Sequence, residues 1–396
     1  MLSISILTSS FPRWEGDYAG VFIKDSILDF SEKDVSMSVV CPSSDTDSPY
    51  QPEEFEIKRF RYMPFRELQR LAYDGGMRDL LSRLSLSTIQ LPFFILSFIL
   101  HAVRDSKDKD IIHAHWLFPA GFVGVLASTI HRKPLVITIR GSDVNLSMRR
   151  GLLRAVAKAI MRKSDLIISV SRDLKKKAMR MEAPPHKIAV FTDGVEAHRQ
   201  VSSNREYRHI LFLGRLAPEK RIGDVLEAIS ILRNRGEEAK LRIAGDGPME
   251  STLTSQCRDL GIEEDVEFLG CIPHDQTADL ISKNGIFILC SSSEGLPDSL
   301  ISAMSLGKPI VATSIPGISE AVVNGRSGIL VQPKSPREIA DALSMILREP
   351  TFATKAGKIA KIITKRRFDR RDSSHRLLNA YFSLWKQSTC DKTLRF

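Results

Sequence analysis

Apolar and polar positions alternate along this chain with two periods, and the period switches repeatedly. Short runs that are continuously apolar or strictly alternating cover residues 2–7, 35–40, 55–60, 111–113, 135–139 and 166–170, the pattern of strands buried in a sheet. Between them apolar residues recur at three- and four-residue spacing, as on one helix face, over residues 21–30, a long region from about 65 to 103, and residues 148–163. Strand thus follows helix throughout, which predicts a parallel sheet with helices on both faces. Over residues 195–208 the period is lost in polar text, and a domain boundary is expected there. A second alternation follows, with strands over 210–213, 241–244, 266–269, 285–289, 309–312 and 328–331. The expected fold class is α/β, two doubly wound domains facing a central cleft, with the cleft as the default site.

One junction is denser in chemistry than the others. The apolar run 286–289 breaks into CSSSEGLPDSLISAM, residues 290–304, which reads as strand, loop and helix. Asp298 or Ser299 suits an N-cap, and Leu300, Ile301, Met304 and Leu306 have the spacing of one buried face. The backbone N–H groups and the dipole at such a helix start suit an anion. Glu294 would be repelled by that anion and is expected to face hydroxyls instead. Ordinary α/β domains also place Gly, Ser and Pro in such loops for turn chemistry alone, so this junction by itself leaves both readings open.

Other strand ends supply further candidates. In the first half these are the loop SSFPRWEGDYAG with Gly16 and Gly20, the segment HAHW over 113–116, and RGSD over 140–143. His115 is either a rim imidazole or a packing histidine, and Arg140 either contacts an anionic group or is simply solvated. In the second half Arg215 and Lys220 flank a short loop in FLGRLAPEKR, and two cations approaching together suit a forked diphosphate. The small residues of AGDGP, beginning with Gly245, let backbone approach a ligand, and FLGCIPHDQ, with Ile272, forms a third loop at the same rim.

Composition narrows the setting. The 396 residues are 43% hydrophobic, enough for two cores, and 57 Lys and Arg against 47 Asp and Glu give a net charge of +10. Such a surface attracts phosphate, acidic lipid or nucleic acid. Five scattered cysteines without CxxC spacing argue against a disulfide framework or zinc site and fit a reducing cytosol. The N-terminus MLSISILTSSFP lacks a basic n-region and runs straight into a strand pattern, so a cytoplasmic protein is expected. Residues 89–103, IQLPFFILSFILHAV, are the most apolar run but too short to span a bilayer, and a buried or partly lipid-dipping helix is expected. The stretch 148–163, MRRGLLRAVAKAIMRK, reads as one basic amphipathic helix, either a core helix with a solvated face or a contact to an anionic membrane.

Taken in order, GRLxxEK, AGDGP, FLG and SSxEGLPxSLxxAM, with NGRSGILVQP over 324–333 and the earlier IHAHWLFPAG and RGSD, resemble the retaining GT-B glycosyltransferases of the family-4 type. The likeness covers nearly the whole chain. It implies two Rossmann-like domains, an acceptor-side one over residues 1–198 and a nucleotide-sugar-binding one over 199–368, with a final helix in 369–396 crossing back to the first. It further implies that Arg215 and Lys220 hold the diphosphate of a nucleotide sugar, such as a UDP- or GDP-sugar, and stabilise its departure without a metal. Glu294 would meet hydroxyls of the donor sugar, and the backbone of Gly295, Leu296, Pro297, Asp298 and Ser299 would meet sugar and phosphate. His115 would touch the sugar near the reacting carbon, while the Gly16 and Gly20 loop would border donor phosphate and acceptor. Arg140, Gly245 and Ile272 join the donor-binding set. No further cofactor and no nucleic acid partner are implied; the acceptor would be a lipid-linked sugar, an oligosaccharide or a growing polysaccharide of the cell envelope, with peripheral contact to the inner face of an anionic membrane.

The chain departs from the family pattern at three places. The second Glu, eight positions after Glu294, is Ser302, which bears on ribose recognition. The Thr-x-His-Gly loop reads Thr138-Ile139-Arg140-Gly141, and the Gly-Gly pair reads Pro316-Gly317. Ser302 leaves room for a binding protein that does not transfer, and the fold also suits an epimerase or a phosphorylase acting on related substrates.

Overall fold

The computed structural model describes residues 1–30, 34–44, 49–65, 68–69, 71–73, 86–149, 151–196 and 207–393. The middle of the expected boundary, residues 197–206, and residues 74–85 of the expected helical region lie outside the described residues. The chain divides into two compact units, Met1–Asp193 with Arg371–Phe396, and Gly194–Arg370.

In the first unit the chain runs β1 (Leu2–Leu7), α1 (Val21–Leu28), β2 (Val35–Pro42), β3 (Glu56–Phe60), α2 (Leu86–Ser106), β4 (Ile111–His115), a turn over Leu117–Gly121, and α3 (Phe122–His131). It continues through β5 (Leu135–Ile139), α4 (Ser142–Arg149), α5 (Gly151–Lys163), β6 (Leu166–Ser169), α6 (Arg172–Arg180) and β7 (Ile188–Val190). The strands form a parallel sheet ordered β3-β2-β1-β4-β5-β6-β7. Both faces are covered at the middle of the sheet, which is why β4 and β5 are buried throughout, while edge strand β3 is mostly half-buried. Leu7, Ile112 and Ile137 point into one core with Phe94 and Phe98 of α2, Val123 of α3 and Ile160 of α5. Ile4, Ile6 and Val136 point into the other with Ile23 and Ile27 of α1.

The second unit contains β8 (His209–Leu213), α7 (Ile222–Asn234), β9 (Lys240–Ala244), α8 (Glu250–Leu260), β10 (Val266–Gly270), α9 (Thr277–Lys283), β11 (Ile286–Leu289) and α10 (Asp298–Ser305). It then has β12 (Ile310–Thr313), α11 (Pro316–Ser319), β13 (Gly328–Val331), α12 (Pro336–Arg348) and α13 (Pro350–Arg367). Its parallel sheet is ordered β10-β9-β8-β11-β12-β13 around one continuous core. The chain ends in α14 (Arg370–Thr393), whose Leu378 and Tyr381 belong to the same core of the first unit as α1.

Two expectations are corrected. The basic stretch 148–163 takes in the end of α4 and the whole of α5, and residue 150 between them lies outside the described residues. An amphipathic helix there would turn Leu152 inward, but it is 80% exposed, and the buried face of α5 is Ala157, Ile160 and Met161. Strand β7 was not expected, because only Ile188 of its three residues is fully buried and so short a run has no legible period.

Candidate functional site

The order of each sheet fixes where its loops part. In the second unit the chain builds outward from β8 through β9 to β10 on one side and from β11 through β12 to β13 on the other. Loops leaving the carboxyl ends of β8 and β11 therefore diverge and leave a crevice, the usual ligand position in such sheets. The first holds Arg215 and Lys220, the second Glu294.

The β8 loop is anchored to its neighbour. Gly214 N–H donates to Ala244 C=O at 3.0 Å and Leu216 N–H to Asp246 C=O at 2.6 Å. Gly245 permits this approach: its φ is +131°, and a Cβ there would lie 2.0 Å from Gly214 O. Arg215 is half-buried on this loop. The loop then closes in a single turn over Pro218–Lys220 and binds the opposite loop. Ser292 N–H donates to Glu219 C=O at 2.8 Å, and Lys220 Nζ donates to Glu294 Oε1 at 2.6 Å. Ser291 Oγ donates to the same carboxylate oxygen at 2.6 Å, and Ser291 C=O is held in turn by Thr313 Oγ1 at 2.6 Å. Lys220 and Glu294 side chains are 18% and 12% exposed, so this charged pair spans the crevice with one face open to a ligand. The sequence placed Lys220 on phosphate and Glu294 on hydroxyls; the structure joins them directly.

Gly295 and Leu296 are half-buried and Pro297 is buried. Neither Asp298 nor Ser299 caps α10. Leu300 and Ile301 N–H both donate to Pro297 C=O at 3.2 Å, so Pro297 is the N-cap, no side chain caps the helix, and Asp298 is already its first residue. Asp298 is exposed, while Ser299 and Ser302 are half-buried on α10. Ile272, two residues beyond β10, packs against the core of this unit.

The first unit repeats the arrangement. Its sheet diverges between β1 and β4, and these strands lead to the Gly16 and Gly20 loop and to His115. That loop is tied by Asp17, 3% exposed, which accepts Arg13 N–H at 2.8 Å and the Arg13 guanidinium at 2.8 and 3.0 Å. Gly20 enters α1 at φ +65°, and a Cβ there would meet Ser10 O at 2.3 Å. Gly16 is likewise left-handed, at φ +85°.

His115 ends β4 and is 6% exposed. Arg140 Nη2 lies 3.2 Å from its Nδ1. A guanidinium only donates, so Nδ1 is the bare acceptor and the ring proton sits on Nε2. Arg140 also makes a two-pronged ion pair with Asp193, at 2.6 and 3.1 Å, and lies 3.7 Å over the Phe22 ring. Arg140 is thus a fixed cation with its own counterion. Beneath His115, its ring centroid 4.4 Å away, is His113, whose Nδ1 meets Tyr381 Oη of α14 at 2.6 Å and whose Nε2 meets Thr138 Oγ1 at 2.8 Å. Burial, then Arg140, pushes His113 down to about 3. Burial, then His113 and Arg140, holds His115 well below the ordinary imidazole range. Both rings are neutral near pH 7.

Asp143 shapes the loop that presents Arg140. It is 6% exposed and accepts N–H groups of Gly141 and Val144 at 2.9 Å, Leu117 at 3.0 Å and Arg140 at 3.3 Å. Burial raises its carboxyl above the usual range, against the pull of those four donors. Trp116, between His115 and this turn, has φ 69° and ψ 148°, a strained conformation for a non-glycine residue. The sequence held RGSD and HAHW but no sign of Asp193, Tyr381 or Phe22, which reach Arg140 and His113 from distant positions. Among the described residues no group of three or more His, Cys, Asp and Glu could hold a metal ion, and no helix is long and apolar enough to cross a membrane.

Comparison with known proteins agrees with this layout. The family described as Glycosyl transferases group 1 matches residues 195–387, and Glycosyltransferase Family 4 matches residues 19–199. TuaC of Bacillus subtilis (strain 168), a protein named for teichuronic acid biosynthesis, is 24% identical over 98% of this chain and 100% of its own. The amylovoran biosynthesis glycosyltransferase AmsK of Erwinia amylovora is 28% identical over 63% of this chain and 64% of its own. Among solved structures, Anabaena Alr3699/HepE in complex with UDP-glucose superposes with a TM-score of 0.77 at 18% identity, over 97% of this chain and 100% of that one. With motifs, sheet order and both family matches in agreement, the chain belongs to the family-4 glycosyltransferases of the GT-B type.

Proposed function

We propose that this enzyme transfers a hexose from a nucleoside diphosphate sugar to a lipid-linked or polysaccharide acceptor, with retention at the anomeric carbon and without a metal ion. The observation that carries the reading is the Lys220–Glu294 pair, 2.6 Å apart across the β8/β11 crevice. Lys220 and Arg215 bear on the diphosphate, and their charge meets the negative charge that grows on the departing nucleoside diphosphate. Glu294, oriented by Lys220 and Ser291, accepts from sugar hydroxyls, and Gly245, Ile272 and the backbone from Gly295 to Ser299 line the donor. His115, neutral and with its proton on Nε2, donates to the sugar near the reacting carbon. Arg140 holds that ring, and the Gly16 and Gly20 loop borders phosphate and acceptor. Ser302 offers the ribose a neutral hydroxyl where the family has a carboxylate. The UDP-glucose bound by the Anabaena relative supports the donor class.

Titration of UDP, GDP, ADP and TDP by calorimetry, followed by assay of the matching sugars, tests this. Lys220→Ala and Arg215→Ala are each expected to weaken nucleoside diphosphate binding by about 1.5–3 kcal/mol, the worth of a charge-assisted contact, and to cut turnover. Glu294→Gln releases Lys220, so nucleotide affinity should hold or rise while turnover falls. Activity should persist in chelator. Unchanged affinity in both cation variants, or chelator inactivation reversed by a divalent ion, would overturn the assignment.

A further inference from the structure

Helix α2 has two opposed faces. Phe94, Phe98 and Ala102 are fully buried; Phe60 of β3 stacks on Phe98 at 4.7 Å and meets Phe94 edge-on at 5.2 Å, which fixes the helix along the sheet. On the opposite face Ile89, Phe93, Leu96 and Leu100 follow one another at helical spacing and are 66, 56, 57 and 47% exposed. A surface helix ordinarily turns polar residues outward, and a contiguous apolar stripe of this kind marks an interaction surface. The patch continues onto α3, where Ile130 is 59% exposed and the neighbouring His131 ring bonds Val103 C=O of α2 at 2.8 Å.

Charge identifies the occupant. From residue 89 to residue 107 the only carboxylate is Asp105, and it points inward, 4% exposed, accepting the Ser5 and Ser38 hydroxyls and pairing with Lys58. The outward face continues instead into Arg104 and Lys107, both exposed, before exposed Asp108 just past the helix. Exposed Arg61, whose C=O accepts Ser97 Oγ at 2.6 Å, and exposed Arg132, just past α3, add further cations beside the patch. A second copy docked on this face would bring cations against cations.

We propose that this face of α2 and α3 is a docking surface for an anionic lipid bilayer. The stripe enters the boundary between headgroups and acyl chains while the surrounding cations meet lipid phosphates. Because the other face of α2 is locked into the core, the helix lies in the plane of the interface and does not cross it. The inference is independent of the donor chemistry, since none of the donor-binding residues lies on this face.

Flotation of the whole protein with phosphatidylcholine vesicles, with and without phosphatidylglycerol, in the absence of donor and acceptor, tests it. Wild type should float with the anionic vesicles at low salt and be released by high salt. Phe93→Ser with Leu96→Ser should weaken binding about tenfold or more, with the melting temperature and nucleoside diphosphate affinity of wild type. Arg104→Gln with Lys107→Gln should weaken binding several-fold and blunt the salt response, which keeps the proposal testable if the apolar variant is unstable. Failure of wild type to float, or flotation of both variants equal to wild type, would overturn it. So would light scattering showing a wild-type dimer that the apolar variant converts to monomer.

Discussion

His113 is a titratable group kept neutral inside the fold, with Tyr381 and Thr138 on its two nitrogens and Arg140 nearby. An imidazole in the unfolded chain titrates near 6.5, whereas this one is pushed down to about 3. Between those values the unfolded state binds the extra proton, so stability rises with pH. The contribution is complete above about pH 6.5 and is lost at about 1.4 kcal/mol per pH unit as pH falls below it. Denaturant titrations at pH 7, 6 and 5 should show that decline in wild type and a slope shallower by nearly one proton in His113→Gln. Equal slopes would mean that His113 is charged in the folded state. His115 shifts in the same direction, so the variant keeps part of the slope. At this scale the sequence disclosed positions but not partners. That His115 ends a strand follows from the local pattern. That Arg140 is held by Asp193, 53 residues on, or Lys220 by Glu294, 74 residues on, depends on which strands become neighbours, and local periodicity carries nothing about that.

Short elements explain one departure from the family motif. In α11 Pro316 stands where the family has the first glycine of a pair, and as the first residue of a helix it loses no bond and has its φ already set. Gly317 stands where the second glycine is, and there the requirement is strict. A Cβ on Gly317 would lie 2.2 Å from Gly295 O and 2.7 Å from Glu294 O, the backbone of the loop that carries the candidate carboxylate. Gly317→Ala should therefore displace that loop, costing about 1–3 kcal/mol of stability and at least as large a share of turnover. Gly151→Ala, with nothing within 4 Å of its added carbon, serves as the control and should keep stability and activity. Urea unfolding and steady-state assay of both variants check this, and wild-type turnover in Gly317→Ala would show that the loop yields freely. The elements themselves were largely legible: each strand expected in residues 210–331 is present within a residue or two. The start of α10 was misjudged because Asp and Ser outrank Pro as caps by propensity, while a Pro297 carbonyl can cap through its backbone alone.

At the scale of the molecule, apolar runs separated by helical spacing were enough to give two parallel sheets, because the inner strands are buried on both faces and each strand needs a crossover to reach its neighbour. What no period reveals is that the last helix belongs to the first unit. Tyr381 of α14 is 1% exposed, packs edge-on against Phe30 at 6.2 Å and reaches His113, so a sheet begun at residue 2 is finished by a side chain added near the end of the chain. Both crossings between units are joined within the second, where Val195 N–H donates to Phe368 C=O at 2.9 Å and Arg370 N–H to Val195 C=O at 3.2 Å. The second unit is thus an insertion whose residues are contiguous, and that arrangement reverses the customary order of folding on the ribosome, in which amino-terminal domains finish first. Gly194–Arg370 can close without α14; the earlier unit keeps part of one apolar face uncovered until α14 docks. Nascent chains ending at residue 370, extended by a linker long enough to clear the ribosome and given a brief protease pulse, should yield a protected fragment from the later unit and digestion of the earlier one. Protection of both would mean that the opening sheet needs no closing helix. During that wait the exposed face is a site for chaperone capture, so variants that weaken the Tyr381 contact should tax the cell during synthesis before any effect appears in the finished enzyme.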